Sequence, residues 1–245
     1  MTNPHHSHTQ YVRELADDKT DPALGKKVRN YLIEKGLVKL PLPSPNPQYN
    51  PRAAVQQISQ GISSGLGFLG LDMEDPSLRE TPLRYAKMLV GELTVGLNFD
   101  FFPKMTVIPN GDAEGVGRYD QMILEKKIEV MSLCEHHLQT IDGYAHVAYI
   151  PDEKVLGLSK MARVTEFFCR RPQIQERLTE QIYHALAFCV GTPDVAVVIE
   201  ATHYCMKARG ALQHTASTIT DKLGGRFLTV PSLRQEFFDR VNNGR

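Results

Sequence analysis

The residues best suited to chemistry lie in Ser132-Leu133-Cys134-Glu135-His136-His137-Leu138, at the end of an apolar run. Cys134 and His137 stand three apart and offer a thiolate and an imidazole, the soft and borderline donors that zinc prefers. A third donor of the same kind is Cys205, in Ile199-Glu-Ala-Thr-His203-Tyr-Cys205-Met-Lys-Ala-Arg209. No fourth candidate follows a comparable pattern. Two cysteines and one histidine, with a coordination position left for water, make a catalytic arrangement; a structural zinc site closes on four ligands. A lone cysteine is ordinarily a small buried hydrophobe. Cys169 and Cys189, each beside a phenylalanine in a helical pattern, fit that description. Cys134 and Cys205 differ because each has ionisable company.

Such a site brings the pKa of water towards neutrality and so provides a hydrolytic nucleophile at ordinary pH. His136 and His203 suit the accompanying proton transfers, because imidazole titrates near neutral pH. A second cluster, Gly157-Leu-Ser159-Lys160-Met-Ala-Arg163, reads as a helix start capped by Ser159. Cations are unfavourable at a helix N-terminus, so Lys160 and Arg163 there point to a compensating anion. Together with Arg84, Lys87 and Arg209 they are enough for a polyphosphate, provided they meet in space. A third cluster sets Glu176 beside Gln175 near another helix start. A carboxylate beside an amide can pair with the N–H–C–NH2 edge of a purine.

The elements that must carry these groups follow from periodicity and punctuation. Asp21-Pro22 opens a helix whose stripe is Val28, Leu32, Ile33 and Leu37, ending near Gly36. Pro41, Pro43, Pro45, Pro47 and Pro51 then exclude helix and mark an extended arm. A second helix is expected over 52–65. A third runs to about residue 93 with Thr81 as N-cap and Pro82 at its first position. Arg84 and Lys87 share one face of it. Residues 121–132 read as a long strand, with Ile123, Glu125, Lys127, Glu129 and Met131 on one side and Leu124, Ile128 and Val130 on the other. Its partner is 140–150. Helices over 159–171 and 173–190 follow, broken at Pro172. A buried strand over 195–202 pairs with 213–220, and a helix covers 232–241. The strand period, carried past residue 202, puts His203, Cys205, Lys207 and Arg209 on one face. Strands in pairs predict an α+β fold, an antiparallel sheet with helices on one face.

Lys and Arg balance Asp and Glu at 28 each, so no global field attracts nucleic acid or an acidic membrane. No apolar run reaches the roughly 20 residues of a membrane span. Four scattered cysteines and a polar start carrying His5, His6 and His8 predict a cytoplasmic, reducing setting.

Jointly, Leu133-Cys-Glu-His-His-Leu, Leu156-Gly-Leu-Ser-Lys-Met-Ala-Arg, Arg171-Pro-Gln-Ile-Gln-Glu-Arg-Leu-Thr and His203-Tyr-Cys-Met-Lys-Ala-Arg-Gly resemble GTP cyclohydrolase I, as does Thr81-Pro-Leu-Arg-Tyr-Ala-Lys-Met. The similarity runs from about Pro51 to Val241. The resemblance implies a tunnelling fold over 51–245, behind an extension over 1–50, assembled as a ring-shaped homodecamer with sites between subunits. It implies zinc on Cys134, His137 and Cys205, and hydrolysis of GTP at C8 with His203 and His136 moving protons. Formate is released and 7,8-dihydroneopterin triphosphate formed, the first step of folate and pterin biosynthesis. It places Glu176 with Gln175 at the guanine edge and Ser159 near the ribose. Lys160, Arg163, Arg209, Arg84 and Lys87 fall on the triphosphate. Two other readings are weighed: a related enzyme acting on a pterin or deazapurine, and a protein whose zinc is purely structural.

Overall fold

The computed structural model describes residues 19–38, 50–111 and 117–242. His5, His6 and His8 and the prolines of the arm before Asn50 lie outside them. Helix α1 (Pro22–Glu34) starts where expected. The Asp21 side chain accepts from the Leu24 N–H at 2.9 Å, and Pro22 sits in the first turn, where no N–H is needed. Its buried stripe is Val28 and Leu32; Ile33, expected with them, is exposed. Helix α2 (Pro51–Phe68) is capped by Asn50. Helix α3 (Thr81–Met88) corrects one expectation. Glu80, not Thr81, holds the cap position, and no side chain caps the helix. The α-helix also stops early and continues as a π-helical turn, Leu89–Leu93. The two helices pack on each other through Val55, Ala86 and Val90, a small cluster apart from the main core.

The sheet carries the site. After β1 (Val107–Pro109) come β2 (Ile123–Cys134), β3 (Thr140–Tyr149) and β4 (Lys154–Leu156), which pairs with β1. Helix α4 (Lys160–Cys169), β5 (Pro172–Gln173) and α5 (Gln175–Val190) follow, then β6 (Val195–His203), the one-turn α6 (Tyr204–Lys207) and β7 (Thr218–Leu223). The main sheet has the order β5-β2-β3-β6-β7, antiparallel except for the short β5–β2 pair. Pro172 therefore does more than break a helix. It opens a two-residue strand that lies parallel to the end of β2. The last strand also begins later than expected, at Thr218.

Helices α1, α4 and α5 cover one face, where Ile128, Val130, Ile141, Val147 and Ile199 meet Val164, Phe168, Leu178 and Ile182. This is the one-sided arrangement that paired strands predict. The chain adds to it: α7 (Gly225–Thr229) and α8 (Pro231–Asn242) cover part of the other face, through Phe227 and Phe237 against Met122, Ala148, Ile150 and Val198.

Strand β2 does not alternate as expected. The register with β3 slips between Glu125 and Ile128, and Lys127 has φ +55°. Such a bulge reverses the faces on one side of it. Ile123 consequently joins the core of Ile128 and Val130, and Leu124 turns to the α7–α8 side. Arg171, at the junction of α4 and β5, is wholly buried, its guanidinium 4.8–5.0 Å from the rings of Phe99, Phe167 and Phe168. Attraction to three ring faces offsets part of the cost of burying that charge. It also pins the chain where β5 meets β2.

Helix α1 docks on α5 through His184. Its Nδ1 lies 3.4 Å from the Tyr31 hydroxyl and its Nε2 3.4 Å from Glu180, which also binds Lys222. Burial holds the His184 pKa below the ordinary value; Glu180 opposes this, and Lys222 and Lys35 reinforce it. While both folded and unfolded rings are neutral, no stability is lost. Below the unfolded ring's pKa of about 6.5 the unfolded chain takes up the proton first, so stability falls. The melting temperature should decline from pH 7 to pH 5, and His184→Gln should flatten part of that decline; thermal melts across this range check it.

Candidate active site

At the end of β2 the chain turns sharply. The Cys134 carbonyl accepts from the N–H groups of His137 and Leu138, and the Cys134 N–H donates to the Gln139 carbonyl. Leu138 takes φ +51° to close the turn. The His137 ring is thereby returned to the side of Cys134. Strand β6, which leads to Cys205, is not adjacent: β3 lies between, with Leu133 opposite Thr140 and Ile141 opposite His203. Two strand spacings put the backbones about 9–10 Å apart, whereas two thiolates on one ion, each bonded at about 2.3 Å, stand under about 4 Å apart.

The chain closes that gap by leaving the strand. Residues 204–207 form α6 instead of continuing β6, and this turn lies against β3. This corrects the expected alternation of His203, Cys205, Lys207 and Arg209 along one strand face. The donor atoms of Cys134, His137 and Cys205 all lie within 4.8 Å of one another. Tetrahedral zinc holds such ligands about 3.3–3.8 Å apart, so small side-chain adjustments suffice. The donor set fits: two thiols and one imidazole are zinc's usual ligands. Among the described residues the cluster ends at three.

The other residues gather in three places. Around the triad stand both histidines. His136 is exposed, its Nδ1 3.9 Å from the Cys134 sulfur. His203 is half-buried, with Nε2 2.8 Å from the Gln175 side-chain oxygen. The amide nitrogen of Gln175 faces the carbonyls of Ile199 and Thr218 and the Thr220 hydroxyl, so its oxygen is the acceptor and His203 donates from Nε2. Burial lowers the His203 pKa and the nearby Glu176 carboxylate opposes it. Burial, then the hydrogen bond and charge of Cys134, raise the Cys205 thiol, and Arg209 draws it down. Glu176 and Arg209 are thus part of this group, while the Gln175 amide is committed to the protein interior and to His203.

The second group opens α4. Ser159 precedes the helix, but its side chain makes no capping bond, contrary to expectation. Lys160 is only 8% exposed. Burial depresses its pKa, and the charges of Arg163 and Lys104 depress it further. Sequence reasoning missed Lys104. It lies in no motif, and only the β1–β4 pairing, with Gly157 bonded to the Thr106 carbonyl, brings its loop to Lys160. The third group is Arg84 and Lys87 on α3, both exposed, with Arg84 bound to Glu80 at 2.6 Å.

The first two groups lie apart in the chain. Helix α4 runs alongside β2, with the Ala162 N–H bonded to Glu125 at one end and Ser132 bonded to the Cys169 and Arg171 carbonyls at the other. Ten helical residues span about 15 Å. The metal turn lies beyond the far end of that helix from Lys160.

A family model described as GTP cyclohydrolase I matches residues 58–242. Among curated proteins the chain is 55% identical over 169 residues to GTP cyclohydrolase 1 of Aeromonas salmonicida, covering 69% of this chain and 75% of that one. It is 46% identical over 216 residues to GTP cyclohydrolase 1 of Erwinia tasmaniensis, covering 88% and 95%. With the match spanning the metal turn, the α4 cations and Glu176, the chain belongs to the GTP cyclohydrolase I family.

Proposed function

We propose that this chain opens the imidazole ring of GTP by hydrolysis at C8, releases formate, and closes the rearranged sugar carbons onto the pyrimidine to give 7,8-dihydroneopterin triphosphate. The observation that carries this reading is the Cys134–His137–Cys205 triad, with His136 and His203 beside it. When bound there, zinc supplies the Lewis acidity that makes water nucleophilic near neutral pH. His203 is held by Gln175 in one tautomer, its Nε2 proton donated to the Gln175 oxygen, and so Nδ1 is the acceptor that meets the substrate. His136, more exposed, is open to solvent. Glu176 accepts from the guanine N–H groups close to His203. Gln175 acts in the same place by fixing that ring.

Lys160, Arg163 and the adjoining Lys104 hold the triphosphate, with Arg209, Arg84 and Lys87 completing the positive lining and Ser159 beside the ribose. Because the metal turn and the α4 cations sit at opposite ends of β2, a single substrate meets them most directly where two copies of the chain adjoin. A homo-oligomer with sites between subunits, of the ring-shaped decameric kind, supplies that junction. The free thiols of Cys134, Cys169, Cys189 and Cys205 suit a reducing compartment, the cytoplasm.

Two measurements test this. Zinc-loaded protein incubated with GTP should release formate and yield a pterin that fluoresces after oxidation. Cys205→Ala should lose both signals while keeping its circular dichroism and most of its melting temperature. A variant or a chelated wild type that unfolds outright would point to a structural zinc instead. For the shared site, Cys205→Ala and Lys160→Ala chains, each inactive alone, should recover part of the activity when co-assembled. Mixed oligomers without activity would place each site within one chain.

A further inference from the structure

A continuous line of polar groups, buried at its centre, runs from the metal turn to the end of α1. Glu135, between ligand Cys134 and His136, accepts through Oε2 from Arg177 Nη2. The Arg177 Nε donates to the Gln173 side-chain oxygen at 3.2 Å. The Gln173 Nε2 donates to the Phe168 carbonyl at 2.9 Å and to the Gln181 side-chain oxygen at 2.8 Å. The Gln181 Nε2 donates to the Leu37 carbonyl at 2.8 Å, just after α1. Gln173 and Gln181 are both buried, and the Arg177 side chain is 12% exposed.

The ends of this line fix its direction. Arginine can only donate and a backbone carbonyl can only accept. Both amides between them therefore have one orientation, and flipping either would set donor against donor or oxygen against oxygen. The line also grips Glu135 twice, because its backbone N–H donates to the Gln173 carbonyl at 3.0 Å while its carboxylate holds Arg177. Gln173 is in register with Cys134 itself. The residue following the first metal ligand is thus held by main chain and side chain at once.

We propose that Arg177, Gln173 and Gln181 are positioning residues for the metal turn, with α1 as their outer anchor. This rests on the reading of Cys134, His137 and Cys205 as zinc ligands. None of the three touches the donor atoms; they set the turn on which Cys134 and His137 are carried. Helix α1 precedes residues 58–242, the part matched by the family model. A segment before that match consequently reaches the metal turn through three side chains.

The test uses the full chain, stripped of metal and reloaded. Zinc affinity is measured by chelator competition, and the cobalt-substituted protein by its visible absorption. Arg177→Met should weaken zinc by about 10–100-fold, the range for lost outer partners of metal ligands. It should also shift the cobalt bands and lower kcat more than it raises KM for GTP. Gln181→Met, remote from the site, should move all three in the same direction by less. Arg177→Lys, which keeps a charge on Glu135 but loses the fork to Gln173, should fall between wild type and Arg177→Met. Unchanged zinc affinity and cobalt spectrum in Arg177→Met and Gln181→Met, with activity falling only with the folded fraction, would overturn the proposal. A wild-type chain that binds no zinc would instead overturn the ligand reading beneath it.

Discussion

Zinc chemistry here depends on one distance. Cys134 ends β2 and Cys205 follows β6, and β3 stands between these strands. An extended continuation of β6 would leave the two backbones two strand spacings apart, about 9–10 Å. With the single turn of α6, the donor atoms close to within 4.8 Å. Ending β6 at His203 has a second effect: the His203 ring stays at the strand's last position, where Gln175 can hold it. The positions of Cys205 and of the His203 ring are thus settled by one change of backbone conformation.

The surrounding structure makes that geometry firm. Arg171, enclosed by Phe99, Phe167 and Phe168, fixes the junction from which β5 departs. Strand β5 then supports the metal turn from one side, and α5 begins two residues later with Gln175, Glu176 and Arg177 all in its first turn. One helix start therefore carries Glu176 and holds both the His203 ring and the metal turn. The close packing of β3 against β6 belongs to the same scheme. A Cβ at Gly143 would meet the Glu200 carbonyl at 2.1 Å, so a larger residue there would separate the strands that set the Ile141–His203 register.

Much of this was legible in the sequence, for identifiable reasons. Soft donors with ionisable neighbours stand out because few other roles favour cysteine and histidine together, and the triad assembles as read. Paired strands and helix punctuation gave the sheet and its covering helices. The failures are local departures from regular periods. The bulge at Lys127 reversed the alternation of β2, since one extra residue changes faces with no mark in the hydrophobic pattern. The helical turn at 204–207 has no glycine or proline to announce it. Lys104 and the two ends of the Arg177–Gln173–Gln181 line, at Glu135 and Leu37, were illegible because their partners are distant in sequence, and Arg171 and the middle of that line because near neighbours say nothing of burial. Their meaning comes from pairing and burial, which spacing alone does not encode.

X-ray absorption at the zinc edge, on the loaded wild-type protein, tests the central claim most directly. Two sulfurs at about 2.3 Å and two lighter nitrogen or oxygen neighbours at about 2.0–2.1 Å are predicted, one of the latter being water. Replacing Cys205 by alanine should remove one sulfur from that shell. Four sulfurs, a single sulfur, or a wild-type shell untouched by the substitution would contradict the account.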